Sequence, residues 1–341
     1  MARNGKPYQY FLNRLLIITV ASLLCGNIFS QPTVTAGLTG IPDTSYSTHA
    51  AYSSTRKTHP AIAVAQEIKS DSILVRENIV YSRTGERSLL ADIFQPSAKT
   101  QQQRTVIIMI HGGGWRSGSR RQHHALAQQL ALRGYICITP EYRLSTEALF
   151  PAALHDIKNL VKWVRNHAAE YGVDTSRIVL AGFSAGGQLA ALAGATGDRP
   201  FPELVNDAGE NVSSRVSAII DIDGTLSFVH PESGESGDGK KISAAAYWLG
   251  YEKKDNPSLW EAASPLTYAR HSPPVLFINS SVARMHAGRD DYITILNERG
   301  VYSEVHTFEN SPHSFCLFHP WFLPTVKHMD DFLKKIFHDT K

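Results

Sequence analysis

The sequence predicts an α/β domain built on a mostly parallel sheet of eight strands flanked by helices. Three observations predict it. From Ile73 onward, short β-branched runs alternate with longer segments of helical period. The run Val106 to Ile110 is apolar without interruption, as a strand buried on both faces should be. A glycine-flanked serine, Ser184, stands where one such strand passes into a small-residue helix.

Taken in order, the chain opens with Arg3, Lys6 and Arg14 around the apolar run Leu15 to Leu24, followed by Ile28-Phe29-Ser30 ahead of Gln31. Residues 1–30 are expected to be a secretory signal peptide, which places the protein outside the cytoplasm, secreted or periplasmic. The apolar run is shorter than the roughly 20 residues of a bilayer span, so no membrane span is expected after cleavage. Residues 31–65 are rich in Ser, Thr, Ala and Gly, with neither strand nor helix period, and are expected to be a flexible leader. The domain proper is expected over residues 66–341. Its strands are Ile73 to Tyr81, Leu89 to Phe94, Val106 to Ile110, Tyr135 to Thr139, Ile178 to Ala181, Val216 to Ile222, Val275 to Asn279 and Tyr302 to Phe308. Helices are expected over Gln122 to Arg133, Ala152 to Tyr171, from Ala185, over Asp290 to Arg299 and over Pro324 to Phe337. Between the sixth and seventh of these strands an irregular insertion, with Pro231, Gly234, Gly237 and Gly239, is placed to form a lid or cap.

The formal net charge is +3, and Arg3, Lys6 and Arg14 supply all of it, so the chain after residue 30 is neutral. It has no Lys/Arg-rich block, which removes the electrostatic case for nucleic acid or anionic lipid as a partner. Cys137 and Cys316 read as two buried thiols rather than a disulfide. No metal-ligand spacing or dinucleotide fingerprint is present, so no metal and no cofactor is expected.

The chemistry lies in three places. Gly182-Phe183-Ser184-Ala185-Gly186 places a serine at a sharp strand-to-helix turn, lifting its Oγ clear of the sheet, with glycines where side chains would strike neighbouring backbone. His111-Gly112-Gly113-Gly114-Trp115 follows the buried strand. With no Cβ in the way, the amides of Gly113 and Gly114, together with that of Ala185, are expected to form an oxyanion hole. His111 itself is expected to hold the loop by hydrogen bonding. Asn310-Ser311-Pro312-His313 follows the last strand, where the general base of such a site belongs, ahead of His286 and His319 as candidates.

The acid is less evident. Its usual place, a few residues after the seventh strand, holds Ser280-Ser281-Val282-Ala283 and no carboxylate. Asp223, at the end of the neighbouring sixth strand, is the first choice, with Asp290 at the start of the following helix as the alternative.

These motifs, with Glu141-Tyr142-Arg143-Leu144-Ser145 and Phe150-Pro151-Ala152 through Asp156, resemble the bacterial feruloyl and acetyl esterases of the α/β-hydrolase superfamily, related to the hormone-sensitive-lipase-like esterases. The resemblance covers about residues 70–338 and implies the α/β-hydrolase fold and a serine esterase. The segments Phe277 to Ser281 and His286 to Asp290 are similar to a branch known as pectin or xylan esterases, which implies acetyl or feruloyl esters on plant cell-wall polysaccharide as substrate. Trp115, Trp248, Trp260 and Trp321 offer faces that stack on sugar rings, and serve equally as core. A peptidase or arylformamidase on the same fold, or a non-catalytic binding protein on a hydrolase fold, are the competing readings.

Overall fold

The computed structural model describes residues 31–98, 100–199, 211–235 and 241–338. The expected signal peptide over residues 1–30, and Gly237 and Gly239 of the insertion, lie outside them.

The first described segment departs from expectation. Residues 31–65 are not a flexible leader: they contain the helix α1 (Thr48–Thr55) and the two-residue strand β1 (Ala63–Val64). Ser47 caps α1 by accepting from the Ala50 amide at 3.1 Å, satisfying one of the donors that a helix start leaves open. The extended stretch before α1 is held by backbone bonds. The amides of Thr33 and Val34 donate to Gly250 O, and those of Thr39 and Gly40 to Thr146 O. Side-chain period is silent about such a segment because its order comes from main-chain pairing. The folded domain therefore reaches back at least to Pro32, well before residue 66.

The sheet follows: β2 (Ile73–Thr84), β3 (Arg87–Pro96), β4 (Arg104–Ile110), then helix α2 (His124–Ala131), β5 (Ile136–Pro140), helices α3 (Ala152–Asn166) and α4 (Ala168–Tyr171), β6 (Val173–Phe183), helix α5 (Ala185–Thr196) and β7 (Ala218–Ile222). The expected irregular insertion comes next, and its described residues include the short helices α6 (Ala244–Leu249) and α7 (Pro257–Ala262), capped by Ser243 and Asn256. Then come β8 (Val275–Asn279), α8 (Arg289–Glu298), β9 (Ser303–Thr307), β10 (Phe318–His319) and α9 (Phe322–His338).

Among the described residues, eight strands form one sheet in the order β2-β3-β5-β4-β6-β7-β8-β9. The β2-β3-β5 edge is antiparallel and β5 through β9 is parallel. The small strand β1 pairs separately with β10. Strand β4 shows why the run from Val106 to Ile110 carries no polar residue. Val106, Ile108 and Ile110 enter the core cluster on one face, while Ile107 and Met109 enter that on the other. Helix α5 lies close on the sheet because its sequence is small: a Cβ at Gly194 would sit 2.5 Å from Ile219 Cδ1.

The parallel strands deliver their carboxyl ends to one edge of the sheet, where open α/β sheets place their ligands. Ser184, Asp223 and Ser280 each follow directly on such an end, and His313 comes a few residues after another.

Candidate active site

Ser184 joins β6 to α5 with φ 56° and ψ −120°, a left-handed conformation that costs a residue with a Cβ roughly 1–3 kcal/mol. The flanking glycines explain how it is tolerated. A Cβ at Gly182 would lie 2.1 Å from Gly186 O, and one at Gly186 would lie 2.0 Å from Ile110 O, so only glycine lets strand and helix meet this closely. The Ser184 amide donates to Ile222 O at 2.9 Å, which fastens the turn to the end of β7.

His313 reaches the serine from the loop after β9. Its Nε2 lies 2.8 Å from Ser184 Oγ and its Nδ1 lies 2.6 Å from Asp223 Oδ2. An ionised carboxylate only accepts, so Nδ1 carries the proton and donates to Asp223, which leaves Nε2 to accept from the serine hydroxyl. Asp223 is fully buried while the His313 side chain is 29% exposed, so the ring stands between the interior charge and the open face. Asp223 also has a left-handed backbone, φ 55°, and its amide donates to Ile278 O at 2.9 Å.

Of the two candidate acids, the structure brings Asp223 to the imidazole and not Asp290. The Asp290 carboxylate accepts from Arg289 Nε at 2.8 Å on the surface, with 78% of its side chain exposed. His286 lies on the short turn Ala283–His286 after β8 and His319 lies in β10.

The glycine loop after β4 is shaped by more than glycine. Gly113 has φ 128°, and a Cβ there would lie 1.7 Å from Ser117 O, so position 113 admits no other residue without rebuilding the loop. The Gly112 amide is engaged, donating to Gln122 Oε1 at 2.8 Å. Ala185 is the first residue of α5, where no intrahelical carbonyl exists to accept its N–H. His111 holds the loop. Its Nδ1 lies 2.9 Å from Gly112 O, its ring stacks on Tyr142 at 4.4 Å, and burial pushes it down to about 4, so it stays neutral at ordinary pH.

The residues from Glu141 to Asp156 form the support beneath this loop. Tyr142 donates its hydroxyl to His111 O at 3.1 Å, and the Ser145 amide donates to Trp115 O at 2.7 Å. Arg143 grips the buried Asp156 through Nε and Nη2, and its amide donates to Asp156 Oδ2 at 2.8 Å. Removing one partner of such a buried pair costs about 3–5 kcal/mol.

The amino-terminal segment reaches the same loops, which nothing in its composition announced. Tyr46 N donates to Ser117 Oγ at 2.8 Å, the Gly118 amide donates to Asp43 O at 3.0 Å, and Thr55 Oγ1 lies 3.0 Å from Ser314 Oγ beside His313. The segment thus ties the glycine loop to the histidine loop.

Trp115, Trp248 and Trp260 are buried, with Trp115 stacked on Trp248 at 4.8 Å, and they present no face to a sugar. Trp321 is partly buried, edge-on to His59. Cys137 and Cys316 are both free and buried, and burial pushes both thiols well up.

A strained serine at the strand-to-helix turn, a histidine and a buried aspartate at the carboxyl edge of this sheet define the molecule as an α/β-hydrolase. The BD-FAE family profile matches residues 91–289, and the chain belongs to that family. Esterase LipQ of Mycobacterium tuberculosis is 28% identical over 223 residues, 65% of this chain and 50% of that protein, so the chain spans about half the length of this curated relative. Among solved structures, a truncated carbohydrate esterase from gut microbiota superposes with TM-score 0.65 at 22% identity, covering 80% of this chain and 99% of that one. The esterase Est2 of Thermogutta terrifontis, solved with propionate bound, superposes with TM-score 0.62 at 28% identity, covering 78% of this chain and 95% of that one. Est2 has also been solved phosphorylated by paraoxon.

Proposed function

We propose that this chain is a secreted serine esterase that removes acetyl or feruloyl groups from plant cell-wall polysaccharide, xylan or pectin. The observation that carries the reaction class is His313 bridging Ser184 Oγ and Asp223 Oδ2 at 2.8 and 2.6 Å. In the first step Nε2 takes the hydroxyl proton as Ser184 Oγ attacks the ester carbonyl. The amides of Gly113, Gly114 and Ala185 receive the oxyanion, and the imidazolium, steadied by Asp223, passes its proton to the departing alcohol. In the second step the same imidazole activates water, which releases the acid and frees the serine. Neither step calls for a metal or cofactor.

Support for an ester as substrate comes from the family and from Est2, solved both with propionate bound and phosphorylated by paraoxon. The polysaccharide rests on the resemblance of Phe277 to Ser281 and His286 to Asp290 to pectin and xylan esterases, and secretion on the signal-like residues 1–30. The test is acetate and ferulate release from acetylated xylan, feruloylated arabinoxylan and acetylated pectin, beside peptide anilides and N-formylkynurenine. Release from a polysaccharide, abolished by Ser184→Ala, is expected. Turnover confined to the anilides or the formamide would overturn the substrate assignment.

A further inference from the structure

The strand end that lacks a carboxylate at Ala283 still takes part in the charge system. Ser280, the first residue beyond β8, is fully buried and gives both of its donors to the acid. Its amide donates to Asp223 Oδ1 at 2.9 Å and its hydroxyl to Asp223 Oδ2 at 2.6 Å. That second oxygen is the one that also receives His313 Nδ1–H, at 2.6 Å. The hydroxyl hydrogen has little freedom to turn away, because the Val282 amide donates to Ser280 Oγ at 3.1 Å and occupies its acceptor side. The residue before it is tethered too: Asn279 Oδ1 accepts from Arg289 Nη1 at 2.8 Å, and Asn279 O accepts from the Phe308 amide at 2.9 Å.

We infer that Ser280 is a positioning residue of the catalytic charge pair, fixing Asp223 Oδ2 on the imidazole and sharing its negative charge. Two neighbouring strand ends thus act together, β7 supplying the carboxylate and β8 the donors that hold it. The inference rests on the Ser184-His313-Asp223 reading of function. Among the described residues, the titratable groups that feel this carboxylate include Asp221 on β7, Cys316 beyond His313, and His286 after β8, with Arg289 close to Asp221 and His286. Its side-chain hydrogen bonds come from Ser280 and His313, which share its oxygens.

Without the hydroxyl, Oδ2 turns its charge to the imidazole alone, and the pair holds its proton to higher pH. Because kcat/KM requires the neutral imidazole, its acid limb moves upward. In Ser280→Ala the limb for p-nitrophenyl acetate should rise by roughly one pH unit, the worth of one hydrogen bond to a charged acceptor, with kcat about tenfold lower. Ser280→Cys, which keeps the shape with a weaker donor, should fall between the two, and it decides the matter if the alanine variant does not fold. A limb within about 0.2 units of wild type in the folded variant overturns the inference. Fluorophosphonate labelling of the same samples separates the two levels. A folded variant labelled at Ser184 with an unmoved limb rejects only the role of Ser280, whereas wild-type protein that is not labelled at Ser184 rejects the functional reading itself.

Discussion

His313 donates through Nδ1 to Asp223 at 2.6 Å, although Asp223 follows β7 and the strand that usually carries the acid is β8. The two strands are neighbours in the sheet, so their ends lie side by side and a carboxylate on either one can face the same histidine. Replacing Asp223 with Asn should lower kcat by about 10⁴, since the amide favours the wrong imidazole tautomer while keeping the shape. Asp290→Asn should stay within about twofold. Steady-state hydrolysis of p-nitrophenyl acetate by the two purified variants decides between them, and comparable losses in both would reject the assignment.

Gly113→Ala probes the proposed oxyanion loop. The added methyl would meet Ser117 O at 1.7 Å, so the loop must move and carry its amides away from the developing charge. A fall in kcat of about 10²–10³, with KM little changed, is the expected result. Thermal unfolding measured alongside should show that the enzyme remains folded; unchanged turnover would place the oxyanion donors elsewhere.

Ser117→Ala tests whether the amino-terminal segment serves the site. It removes the acceptor for Tyr46 N–H, a loss of about 1–2 kcal/mol. The melting temperature should fall by roughly 2–4 °C, and kcat should fall with it, because the glycine loop loses its tie to the segment. A variant with a lowered melting point and wild-type kcat would show that the segment stabilises the domain without ordering the loop.

Two buried histidines make the stability of the fold depend on pH. Burial holds His111 down to about 4 and His123 to about 3, against 6.5 for the free side chain. Well above 6.5 both are neutral in folded and unfolded chains alike, and they take nothing from stability. As pH falls from there toward 4, the unfolded chain binds protons that the fold refuses, and stability is lost. Melting temperature should hold level from pH 8 to 7 and drop between 6.5 and 4.5, and His123→Asn should flatten the drop. An unsloped profile across that window would contradict the burial argument.

What the sequence disclosed was what local chemistry encodes. The strands β4 and β6, the turn at Ser184 and the loop at His313 each carry their own signature, in apolar runs or glycine spacing. The pairing of Asp223 with His313 is less legible because it depends on which strand ends adjoin, a relation between distant residues. The order of residues 32–64 was not legible because their partners, Gly250, Thr146 and Ser117, are far along the chain and their bonds are mostly to backbone. The helices α6 and α7 were too short for a period to show, though the caps Ser243 and Asn256, the latter followed by Pro257, were visible signals. Of the two roles open to the tryptophans, Trp115, Trp248 and Trp260 take that of core: they are buried, and their faces pack the interior.

Ser184 Oγ, held 2.8 Å from His313 Nε2, is the nucleophile of the proposed reaction. Incubation with paraoxon or a fluorophosphonate, followed by peptide mass spectrometry, is the decisive measurement. One adduct per chain on the peptide containing Ser184, formed in step with loss of esterase activity and absent from both Ser184→Ala and His313→Ala, is the predicted result. Hydrolysis that persists in Ser184→Ala, or inactivation with the adduct on another residue, would contradict it.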